Sequence, residues 1–135
     1  MRYLVDANVL SEPTRPVPDQ RAVAWLGARE GDLVAAPPCS ARCPPGILAL
    51  PRGKKRVRLE AWFADVVRGI DCVPWDAEVG LRWARLVTDL RKKGRGMPLL
   101  DSLIGATALR YGFTVATRNV RHFALAGVDV VDPFV

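Results

Sequence analysis

Short apolar runs alternate along this chain with stretches of helical periodicity. The short runs predict buried strands at 3–5, 33–36, 72–73, 113–116 and 128–131. Between them, apolar residues recur at steps of three and four positions and predict helices at about 19–29, 54–67, 76–92 and 99–111. Strands that alternate with helices favour a parallel sheet covered on both faces. We therefore expect a single α/β domain over residues 1–135, with a central parallel sheet of four to five strands flanked by helices and no internal repeat.

The composition is that of a folded protein outside the membrane. Of the 135 residues, 50% are hydrophobic, which argues against disorder. No apolar run approaches the roughly 18–20 residues of a membrane span, and the chain turns polar too early after its first residues for a signal peptide. Three cysteines, an odd number, do not make a disulfide framework. We expect a protein of the reducing cytoplasm.

The chain is basic, with 20 lysines and arginines against 14 aspartates and glutamates and a net charge of +6. A solvated surface accounts for such an excess, and so does a surface that binds an anion, most often nucleic acid. Clustering favours the second interpretation, because basic residues concentrate at 54–58, at 91–95 and at Arg118 with Arg121. Charge alone does not distinguish RNA, DNA and an acidic protein as the partner.

Four polar residues fall where predicted strands end or a predicted helix begins. Asp6 directly follows the first strand, with Asn8 two residues later, and Asn119 follows the strand at 113–116. Asp101 lies in the first turn of its helix. The carboxyl ends of parallel strands converge on one crevice, although these residue types also cap helices and make turns. Asp6 is the strongest candidate, because a charge directly after a buried strand is costly without a partner.

Carboxylates gathered at one crevice predict a site for a hard divalent cation. Mg²⁺ and Mn²⁺ prefer oxygen ligands and keep waters or substrate phosphate in their other positions. Such a cation activates an attacking water and stabilises charge in the transition state, while a basic rim binds the polyanion. This combination indicates phosphodiester hydrolysis. A phosphohydrolase of the haloacid dehalogenase type also begins with a strand and an aspartate, but it requires Asp-x-Asp, and Asn8 occupies the second position.

Three segments carry a family resemblance: "YLVDANVLSE", "MPLLDSLIGATALRYGFTVATRNVRHF" and "GVDVVDPF". In order and spacing they resemble PIN-domain ribonucleases, in particular the VapC and FitB toxins of prokaryotic toxin–antitoxin modules. The resemblance implies a Mg²⁺-dependent endoribonuclease acting on RNA, with Mn²⁺ as the other candidate metal. It also implies a small antitoxin as partner and a homodimer.

The resemblance assigns roles to individual residues. Asp6 and Asp101 match the aspartates that bind the metal, and Asn119 matches the polar position after the fourth strand, where it would orient a water or a metal-bound oxygen. Asp6, Asp101 and Asn119 are therefore the expected catalytic set. Contacts to RNA are expected from their basic and polar neighbours, which are Asn8, Arg118, Arg121 and His122.

Two positions depart from the family pattern. The glutamate of the family's "LGE" motif falls on Arg42, and His122, the only histidine in the sequence, stands where an aspartate is usual. An arginine repels the cation that the expected carboxylate would bind, so we expect impaired activity. The alternative, from another functional class, is a catalytically inactive PIN-like module that binds antitoxin or RNA without cleavage. Arg42 favours this alternative, whereas Asp6 and Asp101 oppose it.

The segment "APPCSARCPP" at 36–45 surrounds Arg42 and admits three interpretations. A zinc knuckle requires four ligands, whereas Cys39 and Cys43 supply two. A genuine functional loop is the second interpretation. The third, which we favour, is a compensated frameshift in the gene or in its reading. The alternative frame permits Val-Leu-Gly-Glu-Val or Val-Leu-Gly-Glu-Met, with the glutamate at position 42.

Overall fold

The computed structural model describes residues 2–35 and 51–135, and every element named below lies in these ranges. Five strands form one sheet: β1 (Tyr3–Val5), β2 (Leu33–Ala35), β3 (Asp71–Cys72), β4 (Thr114–Ala116) and β5 (Val130–Val131). Their order in the sheet is β3-β2-β1-β4-β5, and each neighbouring pair is parallel. The predicted α/β architecture with a central parallel sheet is confirmed.

Six helices in the described ranges flank the sheet: α1 (Ala7–Leu10), α2 (Gln20–Ala28), α3 (Lys54–Gly69), α4 (Ala77–Lys92), α5 (Leu99–Tyr111) and α6 (Val120–Leu125). The four longer helices agree with the prediction. As expected, Asp76 caps α4, because its Oδ1 accepts a hydrogen bond from Val79 N–H at 2.9 Å. The sequence pattern missed α1 and α6, since four and six residues are too few for a helical period to be visible.

Two strands begin later than their apolar runs predicted. β4 starts one residue late, because Phe113 N–H bonds to Ala108 O at 3.0 Å and completes the end of α5. β5 starts two residues late, because Val128 N–H bonds to Phe123 O at 3.2 Å. A backbone donor that satisfies a helix end is not available to a strand ladder.

The central strands are buried on both faces. Leu4 in β1, Val34 in β2 and Val115 in β4 are fully buried, as expected where helices cover a parallel sheet on either side. Val5 at the end of β1 pairs in register with Ala116 at the end of β4. The residues that follow these two strands therefore emerge side by side at one edge of the sheet.

Contacts at both ends fix the position of α5. Trp83 in α4 donates from Nε1 to Ser102 Oγ at 3.0 Å, and Ser102 Oγ in turn donates to Leu99 O at 2.6 Å. Gly112 ends the helix with a φ of 72°, a left-handed conformation that glycine adopts without strain. These contacts determine where Asp101, in the first turn, meets the sheet.

Within residues 2–35 and 51–135, no helix is long and apolar enough to cross a membrane. Residues 36–50 lie outside these ranges. Arg42, Cys39 and Cys43 belong to that segment, so its three interpretations remain predictions.

Candidate functional site

Asp6 follows β1 directly and is 5% exposed. Its Oδ2 accepts hydrogen bonds from Thr117 Oγ1 at 2.7 Å and from Asn8 Nδ2 at 3.3 Å. Its backbone N–H donates to Ala116 O at 3.0 Å, which extends the ladder between β1 and β4 by one residue. The buried carboxylate therefore has the polar partners that a charge at this depth requires.

Residues 117–119, which follow β4, are bonded to the same part of the sheet edge. Thr117 is fully buried, and its Oγ1 accepts a hydrogen bond from Asn119 N–H at 3.0 Å while donating to Asp6. Arg118 N–H donates to Asn8 Oδ1 at 3.3 Å. Asn8 thus contacts Asp6 through its amide nitrogen and the loop after β4 through its amide oxygen.

Asp101 approaches from α5. It is 8% exposed, and its Oδ2 lies 2.8 Å from Nδ1 of His122 in α6. Because an ionised carboxylate only accepts hydrogen bonds, Nδ1 carries the proton and donates it. Pro98 stands at the cap position of α5 and Asn119 at that of α6, and neither makes a side-chain cap hydrogen bond. Helix capping therefore does not account for Asp101 or for Asn119.

A single segment, 117–122, contacts both buried carboxylates. Thr117 at its start bonds to Asp6, and His122 at its end bonds to Asp101. The segment therefore links the end of β1 to the first turn of α5. The contact predicted between His122 and RNA stays a prediction, and His122 has in addition a partner that the sequence did not indicate.

The same segment carries positive charge at the surface. Arg118 and Arg121 are both exposed. The guanidinium carbon Cζ of Arg118 lies 3.8 Å from the ring centroid of Phe134, a buried residue. Cations beside a pair of carboxylates suit a ligand that brings phosphates and a divalent cation together.

The sequence interpretation missed Thr117 and Phe134. A signal for Thr117 existed, because a polar residue directly after the buried strand β4 mirrors Asp6 after β1. For Phe134 no local signal was available. Its contact with Arg118 forms because β5 brings the following residues back beside β4.

Glu12 is a further buried carboxylate, 3% exposed. Its Oε1 accepts a hydrogen bond from Asp19 N–H at 3.0 Å, and its Oε2 lies 3.5 Å from Nη1 of Arg15. These contacts stabilise the proline-rich turn that leads into α2. Glu12 therefore has a structural role in the arrangement of this turn.

The oxygen donors of the site fit a hard divalent cation. Asp6 and Asp101 supply carboxylates, and the side-chain amides of Asn8 and Asn119 can supply further oxygens. In the two described ranges, no three histidine, cysteine or acidic side chains come together as a metal cage. Mg²⁺ is nonetheless commonly bound through one or two carboxylates, with waters and phosphate oxygens in its other positions. The family's remaining acidic position falls on Arg42, outside those ranges.

Comparison with known proteins agrees with this architecture. Residues 3–128 match the PIN domain family. The chain is 32% identical to VapC ribonuclease Y4jK of Sinorhizobium fredii, over 97% of this chain and 96% of that protein. It is 34% identical to toxin FitB of Neisseria gonorrhoeae, over 97% of each. The crystal structure of FitAcB from Neisseria gonorrhoeae superposes with a TM-score of 0.87 at 32% identity, over 98% of both chains.

Proposed function

Because this chain belongs to the PIN-domain family, we propose that it is the ribonuclease toxin of a toxin–antitoxin pair and hydrolyses RNA phosphodiester bonds with bound Mg²⁺. One observation carries the proposal: the segment 117–122 contacts the buried carboxylates of Asp6 and Asp101 and exposes Arg118 and Arg121 beside them. The names of two relatives, a VapC ribonuclease and the toxin FitB, support the assignment.

The residues divide into those that hold the cation and those that orient its ligands. Asp6 and Asp101 would hold Mg²⁺, or Mn²⁺ in its place, and the bound cation supplies an activated water and stabilisation of developing charge. Thr117 and His122 bond to these carboxylates and keep them oriented, as the hydrogen-bond partners of metal ligands commonly do. Asn119, whose backbone is bonded to Thr117, would orient the attacking water.

The basic residues would bind the RNA backbone. Arg118 and Arg121 can donate to phosphate oxygens on either side of the scissile bond, and Asn8 and His122 would contribute polar contacts. Phosphate contacts position a nucleic acid without reading its sequence. Choice of the RNA target therefore depends on contacts other than these arginines.

The proposed partner is a small antitoxin encoded beside this gene, with a tail that occupies the crevice. The likeness to toxin FitB and to the FitAcB structure supports a partner of this kind. Co-expression with the neighbouring open reading frame should yield a complex that co-purifies. We further propose a homodimer, which light scattering on the purified chain tests, and a cytoplasmic location, where cellular RNA is accessible.

The test is cleavage of single-stranded RNA by the purified chain with and without Mg²⁺. Cleavage should require Mg²⁺ and be lost in Asp6→Asn and in Asp101→Asn, which remove the charge that binds the cation but keep the side-chain shape. Asp89→Asn, a matched change at an exposed position of α4, should cleave as the parent does. Binding of Mn²⁺ followed by electron paramagnetic resonance gives a second readout independent of cleavage. Cleavage that persists in both site variants would refute the proposed site.

The second candidate is the catalytically inactive module that binds antitoxin or RNA. Arg42 favours it, because it places a cation where the family has a carboxylate. The same experiments distinguish the two functions. The inactive module binds RNA or co-purifies with the antitoxin, yet it shows neither Mg²⁺-dependent cleavage nor Mn²⁺ binding that depends on Asp101.

A further inference from the structure

The guanidinium of Arg118 stacks on a buried aromatic ring. Its Cζ lies 3.8 Å from the ring centroid of Phe134, well inside the roughly 6 Å over which a cation is attracted to the face of a ring. At this distance the planar guanidinium is in van der Waals contact with the ring. One face of the cation is therefore covered, while the residue as a whole stays exposed.

The position of the Phe134 ring is itself determined by the core. Phe134 is 6% exposed and belongs to the main hydrophobic cluster, together with Val115 of β4 and Phe123 of α6. Its backbone N–H donates to Asp132 Oδ1 at 2.9 Å, which orders the turn after β5. The ring is thus a rigid platform for the guanidinium.

Arg118 differs in its partners from many arginines of this chain. Several described arginines are engaged with carboxylates: Arg2 with Asp71, Arg15 with Glu12, Arg21 with Asp19, Arg56 with Glu60 and Arg110 with Glu78. Among the described residues, no carboxylate lies within salt-bridge distance of Arg118. Its main chain is also anchored, because its N–H donates to Asn8 Oδ1. The residue therefore presents a restrained cation, without a carboxylate partner in these ranges, next to Asp6.

We propose that Phe134 is a positioning residue of the RNA site and holds the Arg118 guanidinium where it meets a phosphate of single-stranded RNA. A stacked guanidinium keeps its N–H edges available for phosphate oxygens, and its planar fork suits a bidentate contact. Because stacking already restricts the side chain, less conformational entropy is lost when the phosphate binds. This inference rests on the proposed function, since it assumes that RNA is the ligand.

The test measures RNA affinity by fluorescence anisotropy at several salt concentrations, with EDTA and in an Asp101→Asn background, so that no RNA is cut. Arg118→Ala should weaken binding by about threefold to tenfold and reduce the slope of log K against log salt by about 0.7, the value for one phosphate contact on a single strand. Phe134→Leu keeps an apolar side chain but removes the ring, and it should cause most of the same loss. Phe134→Trp, which restores a ring face, should recover affinity.

A double variant separates positioning from stability. If Phe134 acts through Arg118, the variant with both Arg118→Ala and Phe134→Leu binds no more weakly than Arg118→Ala alone. If Phe134 serves only the core, Phe134→Leu lowers the melting temperature and leaves the affinity and salt slope of the folded protein unchanged. That second result overturns the inference.

A further variant keeps the test decisive if Phe134→Leu does not fold. Arg118→Lys retains the charge but not the planar stacking group, so it should bind nearer to Arg118→Ala than to the parent, and affinity equal to the parent's overturns the inference. Failure of the proposed function has a different signature, because the parent itself then neither binds nor cleaves RNA.

Discussion

Nδ1 of His122 lies 2.8 Å from Oδ2 of Asp101, and this contact joins α6 to the first turn of α5. The Asp101 side chain is 11% exposed, so the hydrogen bond is largely shielded from water and orients the carboxylate. His122 stands where PIN-domain relatives usually carry an aspartate. The chain therefore has a neutral or cationic neighbour at a position where an additional acidic group would attract a divalent cation.

Replacement of His122 tests this contact. His122→Ala should weaken Mn²⁺ or Mg²⁺ binding by about tenfold, because loss of the hydrogen-bond partner of a metal ligand commonly costs 10–100-fold. His122→Asp should bind the cation more tightly than His122→Ala, since it adds a negative charge beside Asp101. Calorimetric titration measures both affinities. Leu125→Ala, at an exposed position of the same helix, is the matched control, and equal affinities in all variants would contradict the orienting role.

Thr117 makes two buried hydrogen bonds, to Asp6 Oδ2 and from Asn119 N–H. Thr117→Val keeps the shape and removes the hydroxyl, so it should lower the free energy of unfolding by about 1–3 kcal/mol, the cost of leaving buried polar groups unpaired. Thr117→Ser keeps the hydroxyl and should lose about 1 kcal/mol for the missing methyl group. Urea unfolding measures both values. A Val variant more stable than the Ser variant would show that the hydroxyl is dispensable.

Two glycines of the α5 region should respond with opposite sign to the same substitution. A Cβ on Gly105 would lie 3.6 Å from Leu86 Cδ2, an ordinary contact, so Gly105→Ala should raise the free energy of unfolding by about 0.5–1 kcal/mol through helix propensity. Gly112 has a φ of 72°, so Gly112→Ala should lower it by about 1–2 kcal/mol through backbone strain. Thermal and urea unfolding check the pair, and a shared sign would contradict the assigned conformations.

Restoring the segment 39–43 to Val-Leu-Gly-Glu-Met should raise both cation affinity and RNA cleavage. At about 5 Å and an effective dielectric near 20, replacing repulsion by attraction changes the interaction by about 3 kcal/mol for each unit of charge. Arg42→Glu alone should recover less, because the prolines at 37, 38, 44 and 45 oppose a helix there. Cleavage rates and Mn²⁺ affinities of the three chains give the answer. Equal activities, each abolished by Asp101→Ala, would show that the glutamate is not required.

The sequence by itself determined the architecture and part of the site. Helical spacing predicted α4 and α5, and apolar runs predicted the strands of a parallel sheet, because periodicity and burial are properties of neighbouring residues. Polar residues at strand ends and at a helix start singled out Asp6, Asn8 and Asp101, since a charge there requires a partner.

Tertiary structure alone decided which of these residues touch. Thr117 lies 111 residues from Asp6 along the chain, and His122 lies 21 residues from Asp101. These pairs form because β4 lies beside β1 with Val5 level with Ala116, and because α6 begins directly after the loop that follows β4. Strand order and register follow from packing of the whole core rather than from any local pattern, so the partners of the two carboxylates could not be derived from the sequence.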